Sequence, residues 1–148
     1  MDDLAAMDQP PEPPYVLEDQ IGFKLRLANQ RHLELFSEVL PEVTPTQFST
    51  LFKLWEQGAL SQNHLGRLVA MDAATTKGVV DRLRTRGLVA TAASESDRRR
   101  LDVSLTPAGL ALITAGIARA RQISDVTTKP LSPDERALLL SFLDRLSR

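Results

Sequence analysis

Two short helices joined by a tight turn constrain the fold of this chain more than any other feature of its sequence. Ser61 is a suitable N-cap for a short helix, and Asp72 is a suitable N-cap for a second helix that Gly87 ends. Met71 and Asp72 leave room only for a brief turn between the two helices. We therefore predict a helix-turn-helix whose second helix runs from about Asp72 to Arg86.

A β-hairpin is predicted directly after this unit. Residues 88–93 and 101–105 are two strand-like runs, and the second alternates apolar and polar residues. The polar segment 94–100 joins them and carries the charged tip Asp97–Arg100. We call this hairpin the wing.

Longer helices are predicted on both sides. Upstream, a heptad-like stripe typical of helix–helix packing is formed by Ile21, Leu25, Ala28, His32, Leu35 and Val39. Pro41 ends that helix, and Thr44 to Gln47 form a capping box for the next one. Thr106 opens a fifth helix and Ser132 a sixth. The expected fold class is mainly α with a small β-hairpin wing, a winged helix-turn-helix with a helical dimerisation domain.

The net charge of −1 conceals a basic face. The first 20 residues hold six acids and no base, which leaves +5 for the remainder. Between Asp72 and Arg100 there are seven bases and four acids. A local positive excess suits a protein that meets phosphate with one face, so we expect this stretch to contact nucleic acid.

Other function classes are disfavoured. The absence of cysteine excludes disulfides, thiolate metal sites and a cysteine nucleophile, and two histidines do not favour a zinc site. No Gly-rich phosphate loop, metal-spaced cluster or serine beside both a histidine and an acid is recognisable, so no enzyme activity, metal or cofactor is expected. No apolar run approaches the roughly 18 residues that span a bilayer, and no export signal is visible. We expect a cytoplasmic protein with no membrane partner.

The second helix of the pair offers a candidate base-reading face. A helical wheel collects on one side Thr76, Val79, Val80 and Leu83. Small residues on the opposite side would let the backbone approach a major groove, and threonine or lysine would reach phosphates or base edges. The predicted DNA-binding residues are Ala73, Ala74, Thr75, Thr76, Lys77 and Arg84. The alternative is an ordinary surface helix with solvated charges.

The wing tip is the second candidate contact. Its three arginines, Arg98, Arg99 and Arg100, are predicted to bind DNA, because an arginine on a protruding loop suits a narrow minor groove. Asp97 is predicted to support the wing by holding the Arg99 guanidinium. The alternative is a solvated turn with a surface ion pair of little energetic value.

Together these motifs resemble the MarR family of bacterial transcriptional regulators. The resemblance covers about Leu17 to Arg148 and rests, in order, on segments 65–69, 72–83, 86–89, 97–99 and 105–109. It implies a homodimer whose first, fifth and sixth helices interlock, with each winged unit on one half of a palindromic operator in double-stranded DNA. It also implies that Arg99 enters the minor groove. The chain departs from the family at Thr91 and Ala92, where many members carry a basic residue.

The segment 15–22 and the spacing of Arg26 and His32 are similar to family members that sense aromatic acids, such as hydroxybenzoates or nicotinate derivatives. The resemblance implies that Arg26, His32 and Trp55 bind a small aromatic acid effector that releases the DNA. Alternatives remain for each residue. Arg26 has Glu18 or an acid of the partner as a possible ion-pair partner, His32 fits a helix interface, and Trp55 fits a core.

The predicted organisation is an acidic, proline-rich mobile arm at 1–16, a dimerisation region at 17–43 and 107–148, and a DNA-binding winged unit at 44–106. The function predicted is a ligand-responsive transcriptional repressor. The competing prediction is a winged-helix module that binds protein and has no specific DNA binding.

Overall fold

A computed structural model describes residues 12–148. One turn of 3₁₀ helix, Leu17–Asp19, precedes the first α-helix. The order of the remaining elements is α1 (Ile21–Val39), α2 (Pro45–Gln57), β1 (Leu60–Ser61), α3 (Gln62–Leu68), α4 (Ala73–Thr85), β2 (Val89–Ala93), β3 (Leu101–Leu105), α5 (Pro107–Thr127) and α6 (Pro133–Leu146). The predicted mainly helical winged fold is confirmed. The proposed mobile arm lies outside the described residues as far as residue 11.

Local capping explains where the helices begin. Thr44 and Gln47 form the predicted reciprocal capping box of α2, and Ser132 and Glu135 form that of α6. Asp72 caps α4 by accepting the backbone N–H of Thr75 at 2.7 Å. The predicted bounds of α4 were therefore correct to within one residue at each end.

The sheet has three antiparallel strands in the order β1-β3-β2. In the β2–β3 hairpin, Val89 pairs with Leu105 and Ala93 with Leu101, so the wing tip is the segment 94–100. Val103 of the central strand is fully buried and pairs with Leu60 of β1. Strand β1 was not predicted, because two residues are too short to show an alternating pattern.

One apolar cluster forms the core, and it lies mainly in the winged unit. Its members there come from α2, α3, α4, the sheet and the residue that precedes β2: Leu51, Leu54, Leu65, Val79, Val80, Leu83, Leu88, Val89 and Val103. Phe36 of α1 and Ile113 and Ile123 of α5 extend the cluster towards the long helices. Helix α6 has no buried residue. Within residues 12–148, no helix is both long and apolar enough to cross a membrane.

Candidate nucleic-acid interface

The junction of α3 and α4 is packed too closely for one of the predicted DNA contacts. A Cβ atom on Gly66 would lie 2.5 Å from Oγ1 of Thr76, so α4 sits directly on the α3 backbone. Thr76 is only 1% exposed, and its hydroxyl donates to the backbone carbonyl of Asp72 at 2.7 Å. The prediction that Thr76 binds DNA is therefore wrong, since its side chain forms the helix-turn-helix joint.

The N-terminal turn of α4 presents the other predicted residues to solvent. Ala73, Ala74 and Thr75 are exposed, and their side chains are small enough for close approach of a groove. The hydrogen bond from the backbone of Thr75 holds the pKa of the Asp72 carboxyl below its ordinary value. The charged cap therefore fixes the start of the helix at neutral pH.

Asp81 organises the basic side chains further along α4. It pairs with Lys77 at 2.7 Å and with Arg84 at 3.3 Å, and the hydrogen bond from Lys77 is the main reason that its pKa is lowered. Arg84 also donates to the hydroxyl of Thr91 on β2 at 3.3 Å. Thr91, one of the two positions that depart from the family pattern, thus links α4 to the wing.

At the wing tip, Arg98, Arg99 and Arg100 are all exposed. Oδ1 of Asp97 accepts the backbone N–H of Arg99 at 3.0 Å, so Asp97 shapes the turn. The expectation that Asp97 holds the guanidinium of Arg99 is corrected by this geometry, because the carboxylate is engaged with the main chain. That Asp97 supports the wing stays a prediction, and the group it would hold is the backbone of the turn, not the side chain of Arg99.

Arg100 is partly engaged. Its Nε lies 3.7 Å from Oδ1 of Asp102, a buried oxygen without a hydrogen-bond partner among the described residues. A distance of 3.7 Å is an ion pair without a hydrogen bond. Arg98 and Arg99 have no salt bridge within the described part of the chain. They are therefore the arginines of the tip that are most available to a ligand.

The three candidate effector residues make different contacts within the protomer. His32 shares a 2.9 Å hydrogen bond with the hydroxyl of Thr127 on α5. The His32 ring meets the ring of Phe36 edge to face. Further ring contacts on α2 run from Phe48 through Phe52 to Trp55, which is 43% exposed. The guanidinium of Arg26 lies 5.2 Å from the centre of the Phe23 ring. No contact with Glu18 is made by Arg26, and Trp55 is not a core residue.

Two polar contacts across the molecule were not predicted. Arg86, at the C-terminal end of α4, donates to the buried side chain of Gln47 at 3.3 Å. Arg119 of α5 donates to Glu42 at 3.0 Å and holds the pKa of that carboxyl below its ordinary value. The two residues of each pair lie 39 and 77 positions apart in sequence, respectively, so no local pattern could have revealed these contacts.

A large apolar surface remains on the terminal segments. Helix α6 exposes Leu138, Leu139, Leu140, Phe142, Leu143 and Leu146. Leu17, Ile21 and Leu25, near the start of α1, are also exposed. A patch of this kind on one protomer marks an association surface. Within residues 12–148, no group of three or more acidic or histidine side chains is placed to hold a metal ion.

Comparison with known proteins identifies the family. The sequence profile of the MarR family matches residues 43–101. The HTH-type transcriptional repressor NicR of Pseudomonas putida is 40% identical over 135 residues, which are 90% of this chain and 85% of NicR. The chain therefore belongs to the MarR family of transcriptional regulators, whose members are dimers. This result does not favour the competing interpretation as a protein-binding module.

Two solved structures extend the comparison. A structure of BpsR from Bordetella bronchiseptica, described for the regulation of its DNA binding by 6-hydroxynicotinic acid, is 38% identical, with a TM-score of 0.86. The alignment covers 91% of this chain and 98% of BpsR. The repressor CouR bound to a 23-mer DNA duplex is 30% identical, with a TM-score of 0.81, over 89% of this chain and 95% of CouR.

Proposed function

We propose that this chain is a homodimeric repressor that binds a palindromic operator and leaves it when a small aromatic acid binds. The observation that carries the proposal is the pairing of two exposed elements. The small-residue end of α4 is open to solvent, and Arg84 ties that helix to the wing that carries Arg98–Arg100. Such a unit acts by binding rather than by catalysis, on the chromosome in the cytoplasm.

Each element has a distinct task in this proposal. Ala73, Ala74 and Thr75 allow α4 to enter the major groove, while Lys77 and Arg84 reach phosphates or base edges. Arg99 enters the minor groove beside the operator half-site, where its charge is attracted to a narrow groove. Arg98 and Arg100 add phosphate contacts, which supply affinity without reading sequence.

The homodimer is proposed to form through the terminal helices. A two-fold axis would bring the same apolar residues of α1, α5 and α6 together from both chains, which buries the surface that one protomer leaves exposed. Two winged units would then present two copies of α4 to half-sites one helical turn apart, about 34–36 Å.

The effector is proposed to be a hydroxylated aromatic carboxylate, the class to which the 6-hydroxynicotinic acid of the BpsR structure belongs. Arg26 would pair with the carboxylate, because its guanidinium lies over an aromatic ring and has no salt bridge within residues 12–148, and a bidentate pair would be the stronger interaction. His32 would hydrogen-bond a ring substituent, and its contact with Thr127 fixes the orientation of the imidazole. Trp55 supplies an exposed aromatic surface on α2.

The experiment selects an operator from a random-sequence duplex library with the wild-type protein. We expect an inverted repeat, bound by two chains per duplex, and release when 6-hydroxynicotinate or 4-hydroxybenzoate is added. Recovery of no preferred sequence would contradict the repressor proposal. Retention of the operator complex with every hydroxylated aromatic acid tested would contradict the effector class alone.

Arg26→Ala tests the effector site separately. We expect unchanged operator affinity and loss of release by the acid. Arg31→Ala is the matched control, because Arg31 is an exposed arginine on the same helix that pairs with Glu34. Equal release of Arg26→Ala and wild type would exclude Arg26 from the site.

A further inference from the structure

One buried amide connects the C-terminal end of α4 to the start of α2. Oε1 of Gln47 accepts the backbone N–H of Thr44 at 3.2 Å, as part of the capping box, and also accepts Nη1 of Arg86 at 3.3 Å. The side chain of Gln47 is only 9% exposed. The capping box therefore does more than begin a helix, since its oxygen also anchors α4.

The segment on the other side of Thr44 is held by the dimerisation helices. Residues 40–44 connect α1 to α2, and Arg119 of α5 donates to both carboxylate oxygens of Glu42 at 3.0 and 3.3 Å. Leu40 and Val43 of the same segment are buried in the core. The N-terminus of α2 is thus fixed relative to α1 and α5.

The two ends of α4 are consequently anchored to different parts of the molecule. Its N-terminal end rests on α3 through Thr76 and Gly66. Its C-terminal end reaches Gln47 through Arg86, next to the segment that Arg119 holds. The same end of α4 also contacts α5 directly, because Oγ1 of Thr106, the N-cap of α5, donates to the backbone carbonyl of Gly87 at 2.6 Å.

We infer that the Arg86–Gln47 hydrogen bond sets the spacing of operator half-sites that the homodimer accepts. This inference rests on the proposed function. In a two-fold dimer, a shift of α4 in one protomer is repeated in the other, so the separation of the two helices changes by up to twice the shift. One added base pair moves the half-sites apart by about 3.4 Å and rotates one relative to the other by about 34–36°, so each α4 would have to shift by about 1.7 Å and also turn.

Arg86 is suited to this positioning role because it is exposed while its partner is buried. Loss of its guanidinium leaves the capping box and the apolar core intact. The loss therefore removes one of the two hydrogen-bonded anchors at the C-terminal end of α4, the one to α2, without removing a packed side chain. A phosphate contact by Arg86 would instead affect every duplex equally.

The test uses the selected operator and two derivatives with one base pair added or removed at the dyad. Affinities of wild type and Arg86→Met are measured for all three duplexes by fluorescence anisotropy. We expect Arg86→Met to reduce discrimination against the altered spacings about three- to tenfold, the range that one hydrogen bond supplies. Its urea midpoint should stay close to that of wild type.

Two further variants make the result specific. Gln47→Glu keeps an acceptor for both Thr44 and Arg86, so its spacing preference should equal that of wild type. Arg99→Ala should weaken binding to all three duplexes by the same factor. Unchanged discrimination in Arg86→Met, or equal loss of discrimination in Gln47→Glu, would overturn the inference. Failure of wild type to select any operator would instead overturn the proposed function.

Discussion

Leucines in the winged unit and leucines in the terminal helices have opposite environments in one protomer. Leu83 of α4 is 0% exposed, whereas Leu138 of α6 is 54% exposed. The winged unit encloses its apolar side chains with its own helices and sheet, whereas α6 has no buried side chain among the described residues. In the proposed dimer, the difference means that the two regions draw on separate sources of stability, one internal to the winged unit and one supplied to the terminal helices by the second chain.

The largest effect, on the Kd of the dimer, is expected from a charged residue placed in the apolar surface of α6. In the proposed dimer, Phe142→Arg would enter a symmetric interface twice, so we expect the Kd of the dimer to rise at least about a thousandfold. Sedimentation velocity should show a folded monomer. Phe142→Leu is the control and should remain a dimer. An unchanged Kd for Phe142→Arg would place the interface elsewhere, and an unfolded chain would contradict a self-sufficient winged unit.

Leucine truncations in the monomeric Phe142→Arg variant compare the stability contributions of the winged unit and of α6. Leu83→Ala should lower the free energy of unfolding by about 2–5 kcal/mol, because it leaves a cavity in a closed core. Leu139→Ala should change it by less than about 0.5 kcal/mol, since an exposed side chain loses little on truncation. Urea denaturation followed by circular dichroism measures both values. Equal losses would mean that the two regions share one core.

At the DNA surface, Arg99→Ala should weaken operator binding by about 1–3 kcal/mol if its side chain reads the minor groove. Arg121→Ala, on the exposed side of α5, is the control for loss of one positive charge. Gel-shift titration of both variants against the selected operator measures the difference. Equal affinity of the two variants would remove Arg99 from the interface.

The smallest effect is expected at the contact between α5 and the α1–α2 segment. The hydrogen bond from Arg119 lowers the pKa of Glu42, so this pair stabilises the fold at pH above the ordinary carboxyl value and loses its contribution as pH falls through the lowered value. Urea midpoints of wild type should therefore drop more between about pH 6 and about pH 3 than those of Glu42→Gln. Parallel pH profiles would show that the pair contributes nothing.

Capping residues predicted the helices well because their signals are local. Thr44, Ser61, Asp72, Thr106 and Ser132 each cap the helix that the sequence assigned to them. The hairpin was also predictable, since its strands have turn residues and charges between them. Strand β1 was missed because its pairing partner, β3, lies about 40 residues away in sequence, and because the two residues of β1 are too few to show a strand pattern.

Site chemistry was less predictable than fold. Thr76 was assigned to the buried face by the helical wheel, yet its hydroxyl also made it a candidate DNA contact, and only the close approach of Gly66 decides between the two. The Arg86–Gln47 contact depends on tertiary packing of α4 on α2. Residues whose roles depend on distant partners require the structure, whereas exposed basic positions such as Arg99 were visible in the sequence.

Dependence of operator affinity on salt tests the central claim most directly. If two winged units grip the duplex through arginines and lysines, log Kd should rise linearly with log salt concentration, with a slope of several units, and two chains should bind each duplex. Arg99→Ala should lower the slope by about one unit if its charge lies against phosphate or groove. A slope near zero, or a complex with one chain, would contradict the account.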